Sequence, residues 1–373
     1  MKFARLSLIP VLLILQSGCQ LIGAIPRPNQ SVANKSSKQT KLRKPPNAGP
    51  AYAAYFNEAR QQWEHNNYAW LEAEANRVLT AKERLPGGYW KLRVLHRAIE
   101  GVVTEESSDN AWREHIGRLE TWTQQRPASL MARVLLATAW TDYGWKARGH
   151  GYSSTVNRED WVLFDERLRK ANNILSEAHA LEEKSPEWYL AAQIAALGQD
   201  GDRAAYEALY EEGVALEPTY FHLHAAKAGY LLPQWYGEPG EWERFAEQAA
   251  NRVGGEQGDI ILFSIYAAMM ARDNLEFMNK HQAIAPRLIA GFRAIDRLYG
   301  SSPETLNEAC LMSFATSDDK IPAELMKRIG SDYDLSVWRD DSTFNIFRQE
   351  ALKRSGEEPR YRRATGSQGQ SSR

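Results

Sequence analysis

The sequence predicts an all-α protein that is built as a solenoid of helix pairs. Apolar side chains recur at steps of three and four residues, which is the period of one face of a helix. Serine-proline dipeptides mark helix starts, and the alternating β-branched pattern of strands is nearly absent. About 300 residues lie between two polar terminal segments, which is long for one compact core but ordinary for stacked repeats.

The first nineteen residues have the pattern of a bacterial lipoprotein leader. A basic start is followed by an apolar run and then by Ser17, Gly18 and Cys19. The run is about half of the roughly 20 residues that a transmembrane helix needs, so it is typical of a signal peptide. The pattern resembles the lipobox of bacterial lipoproteins, although Gln16 stands where that box usually has leucine. We expect residues 1–18 to be removed and Cys19 to carry lipid; an ordinary cleaved signal and an uncleaved anchor are the alternatives.

The two cysteines and their neighbours predict a location and a redox state. An aspartate after Cys19 would resemble an inner-membrane retention signal, and because Gln20 stands there, we expect an outer-membrane lipoprotein facing the periplasm. A soluble periplasmic protein is the alternative. If Cys19 is lipidated, Cys310 has no disulfide partner, and its apolar neighbours predict a buried thiol. The sequence has no cysteine and histidine spacing typical of zinc, so it predicts neither a metal nor a cofactor.

Basic segments flank the expected helical domain, residues 51–355. The composition of residues 19–50 predicts a flexible tether, and that of residues 356–373 predicts a disordered tail. Neither segment has enough apolar side chains to offset the entropy of ordering. Residues 51–352 contain 32 Lys and Arg but 45 Asp and Glu, which is a net charge of −13. This acidic body disfavours nucleic acid binding. The basic arms could contact anionic lipid or an acidic partner, or could simply be solvated.

Apolar stripes and N-cap residues predict four helices of this domain. One apolar stripe runs from Trp161 to Ala178, and Asn157 is a suitable N-cap in front of it. A second stripe runs from Ile284 to Tyr299. Two Ser-Pro-Glu sequences, at 185–187 and 302–304, put serine at the N-cap and proline at the first helical position.

A weak repeat supports the solenoid. Pro186 and Pro218 lie 32 residues apart, and each opens a helix with an aromatic pair that leads to Ala-Ala. This period is close to the roughly 34 residues of tetratricopeptide repeats, which the pattern resembles. The spacing drifts elsewhere, since Pro127 lies 59 residues before Pro186. We therefore expect a degenerate tetratricopeptide-like solenoid that is monomeric and without disulfides.

Two segments interrupt the helical pattern with unusual residues. The first is residues 145–156, between a helix expected to end near Tyr143 and one that begins at Arg158; the second is residues 232–240. The first segment contains Ala-Arg-Gly-x-Gly-Tyr, and the second contains Leu-Pro-x-Trp-Tyr-Gly. In this pattern, residues 125–255 resemble a bacterial domain-of-unknown-function family with a tetratricopeptide-like fold. The resemblance implies the fold, but no activity.

These segments supply the candidate binding residues. A guanidinium at Arg148, between glycines on a loop, is a good fork for an anion. Trp235 and Tyr236 offer a stacking face beside it. Alternatively, Arg148 would only bond helix carbonyls, and the two aromatic residues would only fill the next turn of the solenoid. The candidate set is Arg148, Gly149, His150, Tyr152, Trp235 and Tyr236.

The sequence shows no recognised catalytic motif: it lacks Gly-x-Ser-x-Gly, His-Glu-x-x-His and a P-loop. His222 and His224 are two apart on a helix and cannot chelate together. The sequence therefore predicts a non-enzymatic, lipid-anchored periplasmic scaffold that binds a protein or peptide, for assembly of an envelope complex or for neutralising a toxin. The alternative is an enzyme or binding module that acts on an anionic cell-wall glycan or peptide at Arg148 and Trp235.

Overall fold

The computed structural model of the chain describes residues 47–149, 155–199, 202–270 and 280–356. Within these ranges the all-α prediction is confirmed, with sixteen helices and one short hairpin. None of the described helices has both the length and the apolar character that crossing a membrane requires. Three positions with predicted roles lie outside the described residues: Cys19, His150 and Tyr152.

The helices range from 4 residues in α15 to 22 residues in α6. In chain order they are α1 Pro50–Glu64, α2 Tyr68–Thr80, α3 Lys91–Glu100, α4 Asp109–Gln125, α5 Leu130–Arg148, α6 Arg158–His179, α7 Pro186–Ile194, α8 Arg203–Leu216, α9 Phe221–Tyr230, α10 Glu241–Val253, α11 Gly255–Met270, α12 Ala285–Tyr299, α13 Pro303–Ser313, α14 Lys320–Ile329, α15 Leu335–Trp338 and α16 Asp341–Arg354.

The helices stack in two layers over the first two thirds of the domain. Helices α3, α5, α7, α9 and α11 contact one another in that order and form one layer. The second layer packs on the first: α4 and α6 contact α5, α8 contacts α7 and α9, and α10 contacts α9 and α11. Stacked helix pairs of this kind are the architecture of a helical solenoid.

The local signals in the sequence predicted the helix starts correctly. The Asn157 side chain accepts a 2.8 Å hydrogen bond from the backbone N–H of Asp160 and caps α6. Ser185 caps α7 and Ser302 caps α13, each followed by proline. The apolar stripe of α6 is buried from Phe164 to Ala178. These caps satisfy backbone donors that the first helical turn leaves without a partner.

A short hairpin joins distant parts of the chain. Its strands, β1 Arg84–Leu85 and β2 Tyr89–Trp90, pair antiparallel. In the turn, the Gly87 N–H donates a 2.7 Å hydrogen bond to the carbonyl of Gly300, between α12 and α13. On the other side, the Trp90 indole N–H donates to the carbonyl of Thr219, at 3.3 Å, between α8 and α9. The hairpin therefore links the α12–α13 connection and the α8–α9 connection to the first helices of the domain.

The start of the described chain is fastened in a similar way. The backbone N–H of Asn47 donates to Oδ2 of Asp334 at 2.7 Å, and the N–H of Glu304 donates to the Asn47 carbonyl at 2.9 Å. The first and last thirds of the domain are therefore in contact. Cys310 is buried as predicted, and burial raises the pKa of its thiol.

Candidate functional site

Arg148 is the last residue of α5 and does not lie in a loop. The prediction that this helix ends near Tyr143 is wrong, because α5 continues for one more turn. That turn is stabilised by Trp145, whose ring packs edge-on against Phe164 of α6, with centroids 4.9 Å apart. Gly149 follows the helix with a φ of 68°, which glycine adopts more readily than other residues and which is common just after a helix end.

The Arg148 guanidinium lies over two indole rings. Its Cζ is 5.2 Å from the ring centre of Trp145 and 5.4 Å from that of Trp161, distances at which a cation is attracted to an aromatic face. Its Nη1 donates a 3.0 Å hydrogen bond to the carbonyl of Gly149. Burial lowers the pKa of this guanidinium. Bonding to a carbonyl at the helix end is what the purely structural interpretation of Arg148 predicts.

The structure brings the two predicted segments together. Trp235 meets Trp145 edge to face, with ring centroids 6.1 Å apart. Trp145, Trp161 and Trp235, which we call the tryptophan cluster, are all partly exposed; the first two lie beside the Arg148 guanidinium, and Trp235 contacts Trp145. Half-buried indoles beside a guanidinium can stack on a sugar or on a peptide.

Tyr236 has a structural position. Its hydroxyl donates to the carbonyls of Leu197 and Gln199, at 3.2 and 3.0 Å, just beyond the end of α7. Its ring stacks on Tyr230, with centroids 4.6 Å apart. Tyr236 therefore fills the turn of the solenoid after α9, as the alternative interpretation of the sequence expected.

A polar cluster that the sequence analysis did not identify lies inside the first layer of helices. Arg93, His96 and Glu100 come from α3, and Glu187 comes from α7. The Arg93 guanidinium bonds both carboxylates: Nη2 lies 2.6 Å and Nη1 2.9 Å from the oxygens of Glu100, and Nη1 lies 2.7 Å from Oε2 of Glu187. The Tyr220 hydroxyl donates to the other oxygen of Glu187. We call these five residues the polar cluster.

His96 is the member of the polar cluster with an open position. Its Nδ1 is buried, has no hydrogen-bond partner among the described residues and lies 3.6 Å from Oε2 of Glu187. Burial lowers the pKa of the imidazole to about 3, so the ring is neutral at pH 7. Asp142, buried on α5, has a raised pKa because burial and the charge of Glu100 disfavour its ionised form. Among the described residues, His96, Glu100 and Glu187 are the group whose ligand atoms could hold a metal ion.

A surface groove lies between α12 and the start of α14. It encloses about 980 Å³. Pro286, Ile289, Ala290 and Ala294 line it from α12, and residues 316–321 form the facing wall. This volume and the mostly apolar α12 side are within the range of binding sites for small molecules and short segments. We call it the α12–α14 groove.

Cations lie along the rim of the α12–α14 groove. Arg297 pairs with Glu256 across the groove opening. Arg293, one turn earlier on the same face, is exposed and has no ion pair or hydrogen bond with any described residue. The ammonium of Lys320, on the facing wall, is likewise exposed and unpaired within the described part of the chain. Two positive side chains are therefore available to an anionic group in the groove, although Asp318 and Asp319 also line the facing wall.

Comparisons with known proteins give no relative for this chain: no family, no curated protein and no solved structure matches it. The resemblance to a family of unknown function therefore stays a prediction.

Proposed function

We propose that the protein is a lipid-anchored scaffold of the bacterial envelope, and that its helical body binds a peptide segment of a partner protein in the α12–α14 groove. The main support for this proposal is the groove, which combines an apolar floor with two cations, Arg293 and Lys320, that have no ion-pair partner among the described residues. The lipid predicted on Cys19 would hold this body, through the basic tether, at a membrane surface facing the periplasm.

The chemistry of the groove defines the partner segment. Apolar side chains of the segment would pack on Pro286 and Ala290, which are exposed in the groove, and apolar burial is the main source of affinity in grooves of this kind. Carboxylates of the segment would pair with Arg293 and Lys320 at the rim, which gives orientation and speeds association more than it adds affinity. We therefore propose a partner segment that carries both apolar and acidic residues.

The polar cluster does not serve this function directly. Arg93, His96 and Glu187 are buried in the first layer of helices and do not line the groove. Asp142, whose raised pKa would suit a general acid, is buried with them. The groove instead presents exposed arginine and lysine side chains, which suit recognition of a carboxylate better than they suit proton transfer at neutral pH.

Site-specific crosslinking in living cells tests the proposal. A photoreactive amino acid at Ala290, which is exposed in the groove, should crosslink to a partner, whereas the same amino acid at Glu120, exposed on α4, should not. Arg293→Glu should weaken the crosslink strongly, and Arg113→Glu, a change at another exposed arginine, should leave it intact. Equal crosslinking from both positions, or a crosslink unaffected by Arg293→Glu, would rule out the groove.

Mass spectrometry of the crosslinked segment then identifies the partner. A subunit of an envelope complex would support assembly as the role, and a secreted toxin would support neutralisation. A segment without acidic residues would contradict the proposed partner chemistry.

The tryptophan cluster supports a second candidate function. Arg148 beside Trp145 and Trp235 could bind an anionic cell-wall glycan or peptide, because sugars stack on indole faces and carboxylates pair with guanidinium groups. Binding of purified peptidoglycan fragments that is lost in Trp235→Ala, while Arg293→Glu has no effect, would favour this alternative over the groove.

A further inference from the structure

We propose that His96, Glu100 and Glu187 form a binding site for a transition-metal dication, for which zinc is the best-suited ion. One ligand atom from each residue lies within 4.8 Å of the other two. One imidazole nitrogen and two carboxylate oxygens form a donor set that zinc accepts. The site is separate from the α12–α14 groove and from the proposed function.

The position of His96 is the strongest argument. Its Nδ1 is buried without a hydrogen-bond partner, in a side chain that is only 2% exposed, and lies 3.6 Å from Oε2 of Glu187. This distance is too long for a hydrogen bond. Two atoms that bind one tetrahedral zinc, each at about 2.0–2.1 Å, lie roughly 3.3–3.4 Å apart. The gap between the imidazole and the carboxylate is therefore close to the one that a zinc ion would bridge.

Arg93 does not occupy all the lone pairs of the two carboxylates. Its guanidinium makes hydrogen bonds of 2.6, 2.9 and 2.7 Å to Glu100 and Glu187, and each carboxylate oxygen has a second lone pair. The Tyr220 hydroxyl holds the remaining oxygen of Glu187. Arg93 and Tyr220 would thus orient the two carboxylates, as outer contacts commonly do around metal ligands.

The charge of the cluster also favours a dication. The two carboxylates of Glu100 and Glu187 share one paired cation, Arg93. A buried excess of negative charge is unfavourable unless it is compensated, and a bound cation supplies that compensation.

The location implies a structural role and an entry route. Glu100 is the last residue of α3, and its side chain is 10% exposed, so an ion would enter at this end of the helix. The bound ion would join α3 to α7, which both pack on α5. Metal binding would therefore stabilise the folded state of the first layer by mass action.

The test uses the full mature protein, purified in detergent and freed of metal with a chelator. Zinc chloride is added, and bound zinc is measured by elemental analysis and by competition with a chromophoric chelator. We expect one tightly held zinc per chain and an increase in melting temperature. With free zinc at about 100 times the Kd, the unfolding equilibrium constant should fall about 100-fold.

Two variants and a matched control make the result decisive. His96→Gln and Glu100→Gln should each weaken zinc binding by more than about 100-fold, since loss of a ligand costs more than loss of an outer contact. The Glu100 side chain lies at the edge of the polar cluster, so Glu100→Gln is less disruptive to the fold. This variant therefore still measures the loss of a ligand if His96→Gln does not fold. His115→Gln should bind zinc normally, because His115 is also a buried histidine with an unpaired Nδ1 but does not belong to the group of potential metal ligands. No stoichiometric zinc in the unaltered protein, or equal binding in all variants, would overturn the proposal.

Discussion

The indole rings of Trp145 and Trp235 meet edge to face, 6.1 Å apart, although ninety residues separate them in the chain. Through this contact the end of α5 packs against the segment that follows α9. Arg148 lies over the same Trp145 ring, so the three side chains form one packed unit. The first prediction follows from this contact.

Replacing Trp235 with alanine should lower the free energy of unfolding by about 1–3 kcal/mol, because the half-buried indole loses both apolar burial and its contact with Trp145. Urea denaturation measures the change. Trp235→Phe should recover part of the loss, since a smaller ring can still contact Trp145. An unchanged stability in Trp235→Ala would mean that the ring is available for a ligand rather than needed for packing.

The second prediction concerns the turn of the hairpin. Gly87 has a φ of 86°, and a Cβ there would lie 2.6 Å from the Tyr89 ring and 2.7 Å from the Ser302 hydroxyl. Gly87→Ala should therefore destabilise the fold by about 1–3 kcal/mol, through backbone strain and through loss of the contact between the hairpin and Ser302.

Gly330→Ala is the matched control for this change. Gly330 also has a positive φ, of 59°, but open space surrounds the position of its Cβ. Urea denaturation of both variants separates backbone strain from the loss of the contact with Ser302. Only the backbone strain should lower the stability of Gly330→Ala. Equal losses would mean that the contact between the hairpin and Ser302 contributes nothing.

The local helix signals could be predicted from sequence because they depend on neighbours only. Asn157 and Ser302 cap helices by accepting a hydrogen bond from the backbone N–H three residues later. The hairpin was missed because its strands have two residues each, too few for an alternating pattern, and because Gly87 is held by Gly300, more than 200 residues later.

The sites show the same division between local and distant contacts. Arg93, His96 and Glu100 lie at positions i, i+3 and i+7, so the sequence alone indicated that they share one face of a helix. Glu187 looked only like an acidic residue at a helix start, and its role in the cluster depends on how α7 packs. The facing wall of the groove, residues 316–321, is likewise set by packing.

The third prediction concerns the ion pairs of the polar cluster. Arg93→Met should destabilise the fold by about 3–5 kcal/mol, because it leaves the buried carboxylates of Glu100 and Glu187 without their cation. Arg113→Met, at an exposed arginine on α4, should change stability by less than about 0.5 kcal/mol.

Adding Glu100→Gln and Glu187→Gln to the Arg93→Met variant should recover part of this stability, because the uncompensated charges are then removed. Urea denaturation of the series, in the presence of a metal chelator, measures each step. A small loss in Arg93→Met itself would mean that these carboxylates are already neutral in the folded protein.

The fourth prediction is a dependence of stability on pH that arises from His224. The ring is 1% exposed; its Nδ1 pairs with the Tyr210 hydroxyl at 2.9 Å, and its Nε2 lies 2.8 Å from the carbonyl of Pro218. A carbonyl only accepts, so Nε2 carries the hydrogen and Nδ1 accepts from Tyr210. Burial lowers the pKa of His224 to about 4, from an ordinary value of 6.5. Protonation of Nδ1 would make this nitrogen a donor, so the Tyr210 hydroxyl would have to accept where it now donates.

The sign of the effect follows from these two pKa values. Above pH 6.5 the histidine is neutral in both states, and the folded protein has its full stability. As the pH falls from 6.5 to about 4, the unfolded chain takes up a proton that the folded protein refuses, so stability is lost. At pH 5 the loss from His224 alone should be about 2 kcal/mol.

Comparison with His224→Gln isolates this contribution, because glutamine can make both hydrogen bonds but does not titrate. His96 and His115 add losses in the same direction, and Asp142, whose pKa is raised, opposes them, so the total pH dependence is not diagnostic. The stability difference between the unaltered protein and His224→Gln, from urea denaturation at pH 7 and pH 5, should change by about 2 kcal/mol in favour of the variant. His65→Gln, at an exposed position, serves as the control. A difference that stays constant between the two pH values would mean that His224 is protonated as readily in the folded protein as in the unfolded chain.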